Sequence, residues 1–355
     1  MAKKVIAVLF GGQSSEHDVS KVSAATIISN INQDKYTIIP IYITKEGHWL
    51  LYDGPVENIQ NGTWEKYASS AVLSPDATHK GIFRIVGEKV KLIPIDLVFP
   101  VLHGANGEDG TIQGLFELAK IPYVGCGVLS SAVSMNKAYT KLVVEKLGVE
   151  QAKYAVCYRN EIENNIEECI EKIEEACGYP CFVKPACAGS SVGITKAHNR
   201  TELVDGLWTA AKEDRTIVIE ENITGFELEC AVLGNTEVQA SAVGQVLAAA
   251  EFYDYDAKYN NKESKTVIPA PIPEDKANEI RENAVKIFKA LDGRGLSRVD
   301  FFMEESTGKI VFNEINTLPG FTPISMYPML FNEVGLSTEE LVDKIIDLGF
   351  SRNED

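Results

Sequence analysis

LSRVDFFMEESTGKIVFNEINTLPGFTPISMY, residues 296–327, contains two alternating apolar runs, Arg298 to Met303 and Lys309 to Ile315. Glu305-Ser306-Thr307-Gly308 lies between them, so the pair reads as a β-hairpin. Alternate side chains of a strand share a face. Arg298 and Asp300 therefore point one way, and Glu314 and Asn316 point together on the partner strand. If the strands pair, Asp300, Glu314 and Asn316 bring three oxygen ligands to one surface, with Arg298 as a fixed positive charge beside them. Hard oxygen donors suit Mg²⁺, which takes a few protein groups and completes its shell with water and substrate phosphates. The plainer alternative is a solvated hairpin face.

The chain has 355 residues, 45% hydrophobic and 24% charged, with a formal net charge of −17. That length accommodates two or three domains. The acidic balance argues against nucleic acid, which demands clustered Lys and Arg. MAKKVIAVLFGG reads as a first strand, not a signal peptide, and no apolar stretch approaches a membrane span. Seven cysteines without a CxxC pair read as reduced thiols in a cytoplasm, with no zinc site.

From the N-terminus, strand Lys4 to Phe10, the turn GGQSSEHDVS and a helix to about Ile31 predict the entry to a doubly wound α/β domain. In that turn Glu16 is either a ligand or a helix N-terminal carboxylate, favourable there in any case. A strand over Tyr36 to Thr44 follows. Residues 46 to 94 read as irregular, with short β-like pieces at Trp49 to Tyr52, Ile82 to Val86 and Val90 to Ile93. The buried strand Leu97 to Leu102 ends in the glycine-rich loop HGANGEDGTIQG, headed by His103. One helix is predicted from about Ser130 to Leu147, and an acidic amphipathic surface helix over Ile162 to Ala176. Strand Cys181 to Lys184 leads into PACAGSSVGI, residues 185–194, a loop whose backbone N–H groups can cradle phosphate. It lacks GxxxxGK[ST], so it is not a P-loop. Strand Ile217 to Ile219 enters the acidic cluster Glu220 to Glu227. EFYDYDAKY, residues 251–259, fits no helix or strand period; three tyrosines and a lysine suggest a lid that closes over substrate. Helices over Pro273 to Leu291 and Leu336 to Leu348 flank the hairpin.

SRVDFF…FNEINTLPGFTPISMYP resembles the C-terminal signature of the D-alanine–D-alanine ligases of the ATP-grasp superfamily. GGQSSEHDVS, HGxxGEDGxxQG, VKPxxxGSSVGI and EFYDYDAKY follow in the family order. The resemblance covers nearly the whole chain, except about residues 46 to 94. It implies an α/β (α+β) three-domain ATP-grasp fold with an N-terminal doubly wound domain, and nucleotide between the central and C-terminal domains. The expected domains are 1–126, 127–216 and 217–355, with a lid loop near 251–268. By resemblance, Glu16 and His103 meet the first D-alanine; His103 orients or deprotonates it. Lys137, Lys184 and Lys258 reach the ATP phosphates under the loop that carries Ser190 and Ser191. Glu220, Glu221 and Ile223 line the adenine slot, and Glu227 takes the ribose hydroxyls. Tyr259 joins Glu16 and Ser190 in a hydrogen-bonded trio. Asp300, Glu314 and Asn316 hold Mg²⁺; the family implies two ions, or Mn²⁺ in their place. Arg298 and the Gly320 N–H stabilise the tetrahedral intermediate. Tyr253, Ser325 and Met326 meet substrate, with Ser325 near the second carboxylate.

The implied reaction is ATP-dependent formation of D-alanyl-D-alanine through D-alanyl phosphate, for peptidoglycan precursors, in a cytoplasmic homodimer with no nucleic-acid or membrane partner. Relatives that make D-alanyl-D-serine tend to carry arginine at the place of Met326. An apolar Met326 leaves a serine hydroxyl unpaired, a cost of roughly 1–3 kcal/mol, which favours D-alanine. The alternatives are a D-alanine–D-serine ligase, another ATP-grasp carboxylate–amine ligase, or a non-catalytic ATP-binding protein. Cys187-Ala188 departs from relatives with charged residues there, and no partner histidine marks Cys187 as a nucleophile.

Overall fold

A computed structural model describes residues 3–61, 63–189, 192–247 and 265–352. The first unit runs β1 (Lys4–Gly11), α1 (His17–Asn30), β2 (Tyr36–Ile43), β3 (Trp49–Tyr52), α2 (Glu57–Asn61), β4 (Ala68–Leu73), β5 (Gly81–Val86), β6 (Lys89–Pro94), β7 (Leu97–Val101) and α3 (Thr111–Ala119). Its sheet has the order β6-β5-β4-β3-β2-β1-β7. β1 is parallel to both β2 and β7, and β3 to β6 form an antiparallel meander. The three β-like pieces read within residues 46–94 are β3, β5 and β6; the irregular reading of the segment is corrected by β4, with which they widen the sheet by four strands. Outward positions such as Val72, Val86 and Val90 are exposed.

Next come α4 (Val128–Met135), α5 (Lys137–Lys146), β8 (Tyr154–Tyr158), α6 (Arg159–Ala176), β9 (Cys181–Pro185), β10 (Thr195–Ala197), α7 (Arg200–Glu213) and β11 (Thr216–Glu221). These strands form an antiparallel sheet of order β10-β9-β11-β8. β11 pairs wholly within this central sheet, with β8 and β9 as its neighbours. The single helix predicted over Ser130 to Leu147 is two. Asn136 is extended, and its side chain accepts from the Ala138 and Tyr139 N–H groups, so it caps a new helix. α6 is not wholly a solvated element: Ile162, Ile170 and Ile173 pack against β8, β9 and α7.

The last unit comprises β12 (Gly225–Gly234), β13 (Val238–Leu247), β14 (Lys265–Val267), α8 (Glu274–Ala290), β15 (Gly295–Glu304), β16 (Ile310–Asn316), α9 (Met326–Glu333) and α10 (Thr338–Ser351). Its antiparallel sheet has the order β14-β13-β12-β15-β16. α8 covers one face, burying Ile280, Ile287 and Phe288 on Val232, Val299 and Phe301. The two C-terminal helices instead turn back to the first unit. Leu341 and Ile345 of α10 join Ile6, Val8 and Phe10 of β1 and Ile27 of α1 in one core. Each such fully buried side chain contributes about 1.5–3 kcal/mol. This shared core holds residues 317–325, between β16 and α9, against α1.

Candidate active site

In the hairpin, Arg298 pairs with Asn316 and Asp300 with Glu314, and a register shift follows at Phe301. On the other side β12 places Glu229 opposite Asp300. Glu229, Asp300 and Glu314 therefore form a row across three strands. Arg298 answers them: its Nε and Nη2 donate to the two Asp300 oxygens at 2.7 and 2.6 Å, and Nε lies 3.0 Å from Glu229 Oε2. Asn316 Nδ2 donates to Asp300 Oδ2 at 3.0 Å. Asp300 is only 2% exposed. Burial alone would lower the Arg298 pKa, but Asp300 and Glu229 outweigh it and raise it well above its ordinary value. Asp300, Glu314 and Asn316 are a hard-oxygen donor set on one cavity wall, which fits Mg²⁺ held by few protein groups. Among the described residues no three carboxylate, histidine or cysteine side chains form a closed metal cage.

Alternation along the central sheet builds a second charged cluster. Ile217 and Ile219 of β11 face α6 and α7; Val218 and Glu220 face α5. On β9, Lys184 shares that inner face, and its Nζ lies 2.5 Å from Glu220 Oε2. Lys141 of α5 lies 2.9 Å from the other oxygen. Burial would raise the Glu220 pKa, but the two ammoniums hold it down at about 2. Lys137, at the start of α5, donates to the Ala188 carbonyl at 2.8 Å and stands 4.0 Å from Glu314 Oε2.

Between these clusters lies a cavity of about 530 Å³, within the ordinary range of small-molecule sites. Lys137, Lys184, Glu220, Glu221, Ile223, Glu227, Arg298, Asp300, Glu314 and Asn316 all line it, and Glu16 reaches it from the first unit. Glu221 accepts the Lys153 N–H at 2.8 Å. Glu16 precedes α1 but its side chain makes no cap hydrogen bond. Its carboxylate instead lies over two glycines: a Cβ at Gly104 would stand 2.6 Å from Oε2, and one at Gly189 2.9 Å. Only glycine permits the N-terminal and phosphate-loop backbones to close on this carboxylate.

Four expected residues do not line this cavity. His103 Nδ1 is 2.9 Å from the Leu318 carbonyl, to which it donates, and Nε2 is 3.1 Å from Ser23 Oγ. Ser23 Oγ also accepts the Phe321 N–H at 3.1 Å. Glu108 accepts the Leu318 N–H at 2.9 Å and the Gly104 N–H at 2.8 Å. Gly320 is thus held between anchored neighbours. Ser325 Oγ accepts the Thr322 N–H at 2.9 Å, and a Cβ at Gly320 would come within 2.8 Å of it. Met326 is buried in the shared core beside Tyr327 and Leu330, packed over Gly244. Ser190, Ser191, Tyr253, Lys258 and Tyr259 lie outside the described residues.

Sequence reasoning missed Lys141, Glu229 and Ser23. Lys141 follows Lys137 by four residues, and Glu229 follows Glu227 by two; both shared-face spacings were available signals. Ser23 stands on the buried face of α1, with Ser20 and Ile27 at helical spacing. Cys187 is exposed, and its thiol is pushed up to about 11 by partial burial and by Asp214, which argues against a nucleophile.

The family described as "D-ala D-ala ligase N-terminus" matches residues 5–126, and "D-ala D-ala ligase C-terminus" matches residues 143–347. A D-alanine–D-alanine ligase of Acetivibrio thermocellus is 53% identical, covering 99% of this chain and 97% of that relative. One from Ruminiclostridium cellulolyticum is 55% identical over 100% and 97%. Among solved structures, the VanG D-Ala:D-Ser ligase of Enterococcus faecalis is 44% identical with a TM-score of 0.89, covering 98% of this chain and all of that one. The D-alanine–D-alanine ligase of Coxiella burnetii is 32% identical with a TM-score of 0.87, over 100% and 96%. With its ATP-grasp architecture and both family regions in place, the chain belongs to the D-alanine–D-alanine ligase family.

Proposed function

We propose that this chain uses ATP to join two D-alanine molecules into D-alanyl-D-alanine, a peptidoglycan precursor, releasing ADP and phosphate. The observation that carries the reading is the cavity that gathers Lys137, Lys184, Arg298, Asp300, Glu314 and Asn316 on facing walls, with Glu16 at its N-terminal side. A carboxylate does not accept an amine at neutral pH without activation. A carboxylate oxygen of the first D-alanine attacks the γ-phosphorus of ATP, and the bond to ADP breaks. The amine of the second D-alanine then attacks the acyl carbon, and phosphate leaves.

Lys137 and Lys184, with Lys258 from the loop 251–259, bind the phosphates. Glu221, Ile223 and Glu227 hold adenine and ribose. Glu16 orients the ammonium of the first D-alanine. Asp300, Glu314 and Asn316 would hold Mg²⁺, which when bound neutralises phosphate charge. Arg298 and the Gly320 N–H stabilise the oxyanion of the tetrahedral intermediate, a role in which preorganised donors are worth most. His103, through Nδ1 on the Leu318 carbonyl and Nε2 on Ser23, orients the 317–321 backbone. A cytoplasmic homodimer completes the proposal; among the described residues no helix is long and apolar enough to cross a membrane.

A second reading, D-alanine–D-serine ligation, is favoured by the 0.89 TM-score to VanG. Against it stand the more identical relatives, which carry the name D-alanine–D-alanine ligase. Phosphate release from Mg-ATP with D-alanine alone, with added D-serine or D-lactate, and with L-alanine, products weighed by mass, separates them. The expected result is D-alanyl-D-alanine with little mixed product. Dominant D-alanyl-D-serine would move the assignment to the second reading, and no turnover would sink both.

A further inference from the structure

The cavity accounts for Lys137 and Lys184 but not for Lys141, which does not line it. Lys141 lies one turn beyond Lys137 on α5 and is 1% exposed. Its ammonium lies between Glu220 Oε1, at 2.9 Å, and the Tyr154 ring, 5.1 Å from the centroid. A buried ammonium is costly, so a fold retains one only where its charge is matched. Here the match is incomplete: Glu220 is a single carboxylate shared by Lys141 and Lys184, one oxygen to each. The trio carries one net positive charge. Of its two ammoniums only Lys184 faces the cavity.

Removing Lys141 would leave Lys184 and Glu220 as a neutral pair at 2.5 Å, an ammonium already satisfied. With Lys141 present, Glu220 is shared with a second ammonium at 2.9 Å and the net charge is expressed at Lys184. We propose that Lys141 is a positioning residue that, by sharing Glu220, frees the charge of Lys184 for the phosphates of a bound nucleotide. The inference rests on the nucleotide reading above.

Calorimetric titration of the full chain with ADP and with adenosine, which lacks phosphate, tests it. Lys141→Met should weaken ADP at least tenfold and leave adenosine within twofold, whereas Lys141→Arg should hold ADP within threefold. The double exchange Lys141→Met, Glu220→Gln restores one net charge and should recover at least threefold of the lost ADP affinity relative to adenosine. Unchanged ADP binding in Lys141→Met, a parallel loss of adenosine, or no recovery in the double variant would overturn the proposal. If Lys141→Met does not fold, Glu220→Gln alone carries the test. It raises the net charge, so ADP should tighten relative to adenosine at least threefold, and a fall overturns the proposal. Wild-type protein that binds neither ligand would overturn the nucleotide reading itself.

Discussion

The facing walls of the cavity are ionic, whereas the loop over residues 317–326 is held by neutral groups and a single carboxylate. On the walls, Lys141, Glu220 and Lys184 form one buried cluster, and Glu229, Arg298 and Asp300 another. At the loop, His103 and Ser23 supply one side and Glu108 the other, all to backbone atoms. Charge acts over distance and answers phosphate; backbone hydrogen bonds fix position and answer a tetrahedral carbon. The difference teaches that, on the proposed function, the phosphate-facing charges and the loop backbone are held by separate networks, with Arg298 the one ionic group assigned to both sides.

The largest break falls on the ionic side. Arg298→Met takes the guanidinium away from the buried Asp300 and Glu229 carboxylates, and should cost about 3–5 kcal/mol of stability by urea unfolding. Asp300→Asn keeps the shape but removes a carboxylate from the cavity wall. It should lower kcat about 10²–10³-fold with the fold intact by circular dichroism.

Acid sharpens the same contrast. The folded-state pKa of Glu220 is depressed to about 2 from 4.5, so its stabilisation is complete above the unfolded value and is lost as pH falls toward 2. Unfolding free energy should therefore drop between pH 4.5 and 2 in the wild type, and drop less steeply in Glu220→Gln. Ser23→Ala should spare that acid limb. It removes the Ser23 hydroxyl from the Phe321 N–H and from His103 Nε2, costing about 1–3 kcal/mol. It should slow amide formation about tenfold, the effect of a misplaced donor, while D-alanine-dependent exchange of label within ATP continues. Cys187→Ser touches neither side and should keep kcat within twofold.

The ionic side was the more legible in sequence. Arg298, Asp300, Glu314 and Asn316 could be placed on one face from alternation and a turn, because charged residues on a half-buried strand stand out against it. The loop side was legible only as motifs. Its organising contacts reach from residue 23 to 321 and from 103 to 318 through backbone atoms, which leave no side-chain pattern. The fold followed the same rule. Unbroken apolar strands such as β7 were readable, but the capping break at Asn136 hid inside a helical pattern, because an Asn there can serve either state. Of the strands β3 to β6 only β4 hid, because ASSAVL carries two serines and two alanines and offers little apolar contrast. Met326 was read as a substrate contact from its place in the signature, and its burial beside Leu330 depends on a core shared with the first unit that only the tertiary fold reveals.

The most direct test of a division between activation and capture is the fate of the carboxylate oxygen. With D-alanine carrying ¹⁸O in both carboxylate positions and Mg-ATP, attack on the γ-phosphorus followed by amine displacement sends one ¹⁸O into the phosphate released per turnover. Mass analysis of that phosphate should show a single label, with ADP unlabelled. Unlabelled phosphate, or label in AMP with pyrophosphate as the other product, would contradict the account.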